Sequence, residues 1–298
     1  MKIVLFGKNG QVGWELQRSL APLGQVIALD RHSTEHGGDL SNLAGIAATL
    51  KTLSPDVIVN AAAYTAVDKA ESEPELAHRI NAEAPETLAK AADACGACLI
   101  HYSTDYVFDG SGSRPWREDD DVNPLSVYGQ SKLAGERAIQ ATSAQHLIFR
   151  TSWVYAARGN NFAKTMLRLA KERDQLAVID DQIGAPTGAE LIADVTAHAI
   201  KTMQRNPKLS GIYHLAAGGE TSWYQYVLEI LAFAHRAGIT LNVPPAAVKA
   251  IQTCDYPTAA TRPLNSRLNT DKLRHAFALN LPPWQDGVER MLSELLGK

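Results

Sequence analysis

Short apolar runs alternating with helical stretches constrain this chain more than any other feature of its sequence. The runs are Ile3–Phe6, Val26–Leu29, Asp56–Val59, Leu99–Tyr102 and Leu147–Arg150. Between them, Gln11–Leu20, Ala44–Leu53, Ala82–Ala94 and Ser131–Ala141 have helical spacing or composition. A strand that is apolar at nearly every position is buried on both faces, and a helix returning between two such strands makes them parallel. The pattern predicts an α/β fold built on a doubly wound parallel sheet. Beyond about Asn160 the rhythm loosens. Phe162–Glu172 and Glu190–Met203 read as helices, Ala177–Ile179 and Gly211–Leu215 as strands, and Gly184–Gly188 as a turn. Ser222 and Gln225 have the spacing of a capping box for a helix through Ala237, and Trp284–Leu296 is amphipathic.

With 298 residues and 45% hydrophobic content, the chain can build one large α/β unit, or such a unit with a smaller domain. A formal net charge of −3 gives no global basic field, so neither a nucleic-acid polymer nor a membrane is an expected partner. The stretch Met1–Gly7 is too short for a signal-peptide core, and no later run approaches a membrane span. Three cysteines cannot all pair, which favours the reducing cytoplasm. Cys95 and Cys98 have the spacing of a redox pair, but a helical pattern precedes them and a strand follows. A reactive pair needs its attacking thiol at a helix N-terminus, so these two read as a helix-to-strand turn.

Gly7-Lys8-Asn9-Gly10-Gln11-Val12-Gly13 joins the first run to the first helix. Glycines here allow a tight turn and close backbone approach to a pyrophosphate, and the helix opened by Gln11 and Val12 points its N-terminus at the phosphate charge. The spacing is G-x-x-G-x-x-G, not the commoner G-x-G-x-x-G; taken alone, an ordinary glycine turn is an equal alternative. Asp30 ends the second run, where a carboxylate can accept hydrogen bonds from an adenosine ribose, while Arg31 beside it suits a 2′-phosphate. NADH and NADPH both stay open. Asp39 and Leu40 sit where a loop can border an adenine. Ala61, Ala62 and Ala63 end the third run with side chains small enough to admit a cofactor, or simply to pack. Residues 1–155 thus read as a Rossmann-type dinucleotide-binding domain, joined by parts of 185–220. The remainder, 156–298, reads mainly as a smaller, discontinuous substrate-binding domain.

Tyr128 and Lys132 lie four residues apart, about 40° around a helix axis, so they share a face. A phenol with a pKa near 10 is a poor acid–base catalyst at neutral pH without help. An ammonium about 4 Å away, at an effective dielectric near 20, favours the phenolate by roughly 4 kcal/mol, a lowering of about 3 pKa units before desolvation acts. Such a tyrosine is poised to protonate a carbonyl oxygen as hydride reaches the carbon. The same spacing also occurs on solvated helices. Ser103–Phe108, however, follows the fourth run at the carboxyl edge of the sheet, where open α/β folds bind ligands. There the Thr104 hydroxyl suits a reacting oxygen and Asp105 suits sugar hydroxyls; a Ser/Thr or Asx turn is the plainer alternative.

On these segments, with Asn60–Asp68, Arg150–Tyr155, Gly184–Gly188 and Arg262–Ser266, the sequence resembles the extended short-chain dehydrogenase/reductase family over essentially its whole length. Within that family it looks like the reductases of nucleotide-activated keto-sugars. The resemblance implies NADPH- or NADH-dependent reduction of the C4 ketone of dTDP-4-dehydro-L-rhamnose to dTDP-L-rhamnose, a cell-envelope sugar precursor. It implies Tyr128 as proton donor, with Lys132 lowering its pKa and binding the nicotinamide ribose. Thr104 stands where the superfamily often has serine and keeps the hydroxyl. Thr104, Asp105, Trp153 and Val67 would contact the deoxyhexose and Arg262 the diphosphate. A core aromatic and a surface salt bridge are the alternatives for Trp153 and Arg262. Asn81 matches a position that holds a water in the proton relay, or else caps a helix. The resemblance further implies Mg2+ and a homodimer, with Glu15, Glu190 and Glu294 as ligands by position, although solvated helix faces explain three separate glutamates more simply. An epimerase or dehydratase of the same fold and a non-catalytic regulatory subunit are the competing functions.

Overall fold

A computed structural model describes residues 1–142 and 144–297. The apolar runs form one parallel sheet of β1 (Lys2–Phe6), β2 (Gln25–Leu29), β3 (Val57–Asn60), β4 (Cys98–Thr104), β5 (His146–Thr151) and an edge strand, Gly211–His214. The order across it is edge strand, β5, β4, β3, β1, β2. Alternate residues face opposite layers. Ile3, Leu5, Val57, Val59 and Ile100 pack against Leu16 and Leu20 of helix Gln11–Leu20 and Ile192 and Val195 of helix Ala189–Arg205. Val4, Phe6, Ile58, Leu99 and Ile148 pack against Ile46 and Leu50 of helix Leu43–Leu53, Leu88 of helix Ala84–Cys95 and Ile139 of helix Val127–Gln140.

After β2 the chain recrosses β1 to reach β3, so the strand order reverses between β1 and β3. A crevice opens at such a switch point, outside the carboxyl ends of the strands. The register aligns its rim: Phe6 pairs with Leu29 and Asn60, Asn60 with His101, and Thr104 with Thr151. The loops that begin at Gly7, Ala61, Asp105 and Ser152 therefore leave from one edge.

The smaller layer has its own core, including Tyr155, Leu167, Tyr226, Ile230, Trp284 and Val288. Short ladders stitch it together: Leu176–Ile179 with Val248–Ile251, Ile183–Gly184 with Thr221–Ser222, and Val154–Tyr155 with Thr187–Gly188. Gly184–Gly188, expected as a turn, thus contributes to two ladders whose partners are distant in sequence. The helix expected from Ser131 begins earlier, at Val127, because the Ser126 hydroxyl caps it, accepting the Gly129 N–H at 3.2 Å. Ser222 likewise caps helix Trp223–Arg236 through the Gln225 N–H at 3.0 Å, while its own hydroxyl donates to Asp180. Cys95 closes a helix, Gly96 caps it at φ 68°, and Cys98 opens β4. Among the described residues no helix is long and apolar enough to cross a membrane.

Candidate active site

The switch-point crevice is a cavity of about 570 Å³. The glycine loop gives it Gly7, Gly10, Gln11 and Val12, the segment just after β3 gives Ala61, Ala62 and Ala63, and the short helix Val67–Ala70 gives Val67. Thr104 and Asp105 enter from β4, Tyr128 and Lys132 from helix Val127–Gln140, and Trp153 from the segment after β5.

The loop is shaped by what its glycines lack. Gly7 has φ 89°, and a Cβ there would lie 2.7 Å from the Ala62 nitrogen. A Cβ on Gly13, which lies behind the loop, would fall 2.0 Å from the Gly7 carbonyl oxygen. Gly10 is the N-cap of helix Gln11–Leu20 and provides no side-chain acceptor, so the first N–H groups of that helix stay available to an anion at the cavity. Gly13→Ala is expected to force the loop outward at a cost of about 1–3 kcal/mol, weakening dinucleotide binding roughly tenfold to a hundredfold. Fluorescence titration with reduced cofactor checks this; undiminished affinity would mean that the loop does not hold the pyrophosphate.

Tyr128 and Lys132 share a cavity, but their electrostatics depart from the sequence expectation. Burial pushes the Tyr128 phenol up to about 12, with the Thr104 hydroxyl opposing it and the Asp105 charge adding to it. Lys132 is not among the groups that set the phenol: its Nζ donates to the Tyr102 carbonyl at 2.6 Å and lies 3.3 Å from His101 Nε2. Lys132 is itself lowered by burial to about 8, with Glu136 countering. Desolvation outweighs the pairing.

Ser103 Oγ, Asp105 Oδ2, Thr151 Oγ1 and Ser152 Oγ are buried with no hydrogen-bond partner among the described residues, and all four residues line the cavity. Buried polar atoms are normally paired, so this wall is built to meet a polar ligand. Burial raises the Asp105 carboxyl to about 6, against hydrogen bonds from Ser266 and Thr104.

Trp153 adopts φ 49°, a strained value for a bulky residue, and its indole stacks on Trp223 with centroids 3.6 Å apart and planes 13° apart. Gly184 makes room: a Cβ there would meet Trp153 Cε2 at 2.8 Å. Trp223 and Tyr106 line this cavity and also a second of about 420 Å³, which adds Phe162, Tyr256, Arg173 and Arg262. Arg262 donates to both Asp68 oxygens, at 2.7 and 3.1 Å, while facing that second cavity.

The sequence profile of the family described as RmlD substrate binding domain matches residues 1–296. The chain belongs to this family. A dTDP-4-dehydrorhamnose reductase of Shigella flexneri is 63% identical over 295 residues, 99% of this chain and 98% of that protein. One from Burkholderia thailandensis is 46% identical over 302 residues, with 100% of each covered. The crystal structure of the Bacillus anthracis dTDP-4-dehydrorhamnose reductase in complex with NADP aligns at a TM-score of 0.87 and 34% identity, covering 98% of this chain and 99% of that one.

Several residues expected at the site of this RmlD-family chain lie elsewhere or act otherwise. Asp30 stands outside the cavity wall, accepting from Asn9 and from the His32 N–H, and the cation beside it is Lys8 at 3.8 Å. Arg31 turns to His32 instead, at 3.1 Å. Asp39 accepts the Ser41 N–H in a local turn, and Leu40 is buried with Phe6 and Ile46, so it packs inward and does not border the cavity. Asn81 is a buried tie: it accepts the Tyr64 N–H and donates to the Tyr64 carbonyl and to Ser131. The Mg2+ ligand set does not assemble within this chain. Glu15 pairs with Arg18 and Glu190 with Arg290, and no group of three ligating side chains occurs among the described residues. Glu190 is raised by burial, with Arg290 opposing and Glu15 and Glu294 adding repulsion, so the three carboxylates share a region without closing into a site.

Ser103, Tyr106, Thr151 and Ser152 lie in segments the sequence singles out but had no role assigned there, while Trp223 and the second cavity escaped the sequence reading. Trp223 sits at the start of an amphipathic helix, where an aromatic reads as core, and only the fold brings it against Trp153.

Proposed function

We propose that this chain reduces the C4 ketone of dTDP-4-dehydro-L-rhamnose to dTDP-L-rhamnose with NADPH or NADH. One observation carries the reading. A glycine loop with a free helix N-terminus opens into the same cavity as Thr104, Tyr128 and the unpartnered polar wall. Full-length relatives carrying the reductase name favour net reduction over an epimerase or dehydratase, and over a regulatory subunit.

Gly7–Gly13 would hold the dinucleotide pyrophosphate, Ala61–Ala63 would lie along it, and Lys132 would bind its ribose. Asp30 and Lys8 would meet the adenosine end. When bound, that cofactor supplies the hydride. Thr104 holds the ketone oxygen beside the Tyr128 phenol. Raised to about 12, the phenol stays protonated at neutral pH. It still donates downhill to an alkoxide, which is about as basic as hydroxide, the conjugate base of water at pKa ~16. The upward shift therefore suits a proton donor. Asp105 Oδ2 accepts a sugar hydroxyl, with Val67 and Trp153 walling the ring. The second cavity takes the nucleotide, offering Phe162, Trp223 and Tyr256 to a base and Arg262 to the diphosphate. All three thiols are free, in keeping with a cytoplasmic setting.

Purified protein given dTDP-4-dehydro-L-rhamnose is expected to oxidise NADPH or NADH mole for mole, followed by the loss of reduced-nicotinamide absorbance. Folded protein that turns over neither cofactor with this sugar would end the proposal.

A further inference from the structure

Behind the Tyr128/Lys132 face runs a buried polar chain that the reaction as described leaves unused. Asn60 ends β3 directly opposite His101 of β4, and each is 1% exposed. The Ala62 N–H donates to Asn60 Oδ1 at 3.2 Å, so the amide's NH2 arm faces the imidazole, 3.1 Å from His101 Nδ1. An amide NH2 only donates, which makes Nδ1 the accepting nitrogen. The ring is neutral: burial, then the neighbouring Lys132, hold its pKa well below the usual histidine value. Its one hydrogen therefore sits on Nε2, 3.3 Å from Lys132 Nζ.

An ammonium has three donors and no acceptor, so a charged Lys132 faces this N–H with no lone pair between them. The deprotonated amine fits this geometry better than the ammonium, so the contact favours release of the lysine's proton. The amine's lone pair accepts the Nε2 hydrogen while one of its own hydrogens goes to the Tyr102 carbonyl at 2.6 Å. The other titratable groups around the lysine come from three elements. Tyr128 and Glu136 lie a turn to either side on its own helix, and Arg150 of β5 is clamped onto Glu136. On β4, Tyr102 turns its hydroxyl away to Thr196, and Asp105 follows at the cavity wall.

We propose that Asn60 and His101 are positioning residues for the reduction: the imidazole donates its Nε2 hydrogen to the Lys132 amine, aims the lysine at the cavity, and sets the pH above which it has no proton to hand on. An ammonium opposed by that N–H releases its proton readily. The proton would pass from Lys132, through the cavity that both side chains line, to the phenolate that Tyr128 becomes after donating, and the lysine regains one from solvent. The inference rests on the reductase reading above.

Nitrogen-15 imidazole spectra of the intact chain, recorded without substrate, test the geometry independently of any activity. The expected result is an Nε2–H tautomer for His101; an Nδ1–H tautomer overturns the proposal whether or not the protein reduces the keto-sugar. Asn60→Asp replaces the amide donor with an acceptor, draws the ring hydrogen to Nδ1 and offers the Nε2 lone pair to the ammonium. The alkaline limb of kcat should then move up by at least about one pH unit, tenfold in proton concentration. An unmoved limb overturns the proposal, since a merely structural defect would lower kcat evenly across the profile. Should the variant fail to fold, the tautomer of the unaltered protein still decides.

Discussion

Exchanging Tyr128 for phenylalanine is expected to lower kcat by about 10³, inside the 10²–10⁴ range for a lost general acid, while cofactor affinity stays within about threefold. The ring itself is retained. Its edge-to-face packing on Tyr106, with centroids 5.5 Å apart at 80°, uses no hydroxyl, so thermal stability should barely change. What disappears is the O–H that faces Thr104. The pH profile of the unaltered enzyme follows from the same electrostatics. Tyr128, raised to about 12, keeps its proton throughout the neutral range, whereas Lys132 is lowered to about 8. A lysine must carry a proton to replace the one Tyr128 gives away. Activity is therefore present below the folded Lys132 value and lost as pH rises through it. Steady-state rates of both proteins across that interval check the assignment. An undiminished kcat in Tyr128→Phe would move the donor elsewhere, and Asp105, raised by burial to about 6, is the next acid in the cavity.

The parallel sheet was legible because apolar runs and helical stretches are local signals and helical returns make the strands parallel, whereas the order of the strands came only with the fold. The glycine loop and the strand-end hydroxyl were legible for the same reason, since each is a short segment whose place at the sheet edge is fixed by the strand before it. Two kinds of feature were not. Contacts made by folding, such as Trp223 stacked on Trp153 or Tyr106 joining two cavities, link segments with no shared local pattern. The balance between burial and charge was also hidden. Four-residue spacing places Tyr128 and Lys132 on one face, but it does not reveal that a carbonyl on β4 takes the ammonium and leaves the phenol to desolvation. Leu40 was misplaced for a similar reason, and Glu15 and Glu190 have arginine partners that position alone did not show.

Arg150→Met should destabilise the fold by about 3–5 kcal/mol, because it strands a carboxylate in the interior. Arg150 Nε and Nη2 bind Glu136 at 3.0 and 2.7 Å, and the two side chains are only 3% and 1% exposed. The guanidinium also lies over the Phe108 ring, 5.1 Å from its centroid, so it ties β5, helix Val127–Gln140 and the segment after β4 together. At about 2–4 °C per kcal/mol for a chain of this size class, the melting temperature should fall by roughly 6–20 °C. The sign with pH follows. An unpaired buried carboxylate costs more charged than protonated, so the deficit shrinks on acidification. Thermal melts at several pH values would show this slope, and an equal loss at every pH would place the damage elsewhere. The double variant Arg150→Met with Glu136→Leu is the control. Replacing a buried ion pair by apolar groups of similar volume is often nearly neutral, so much of the lost stability should return. Its kcat should not recover with the fold, because Glu136 is the charge that supports the proton on Lys132, one turn away on the same helix. A double variant as unstable as the single one would show that the guanidinium acts through its packing on Phe108 and not through Glu136.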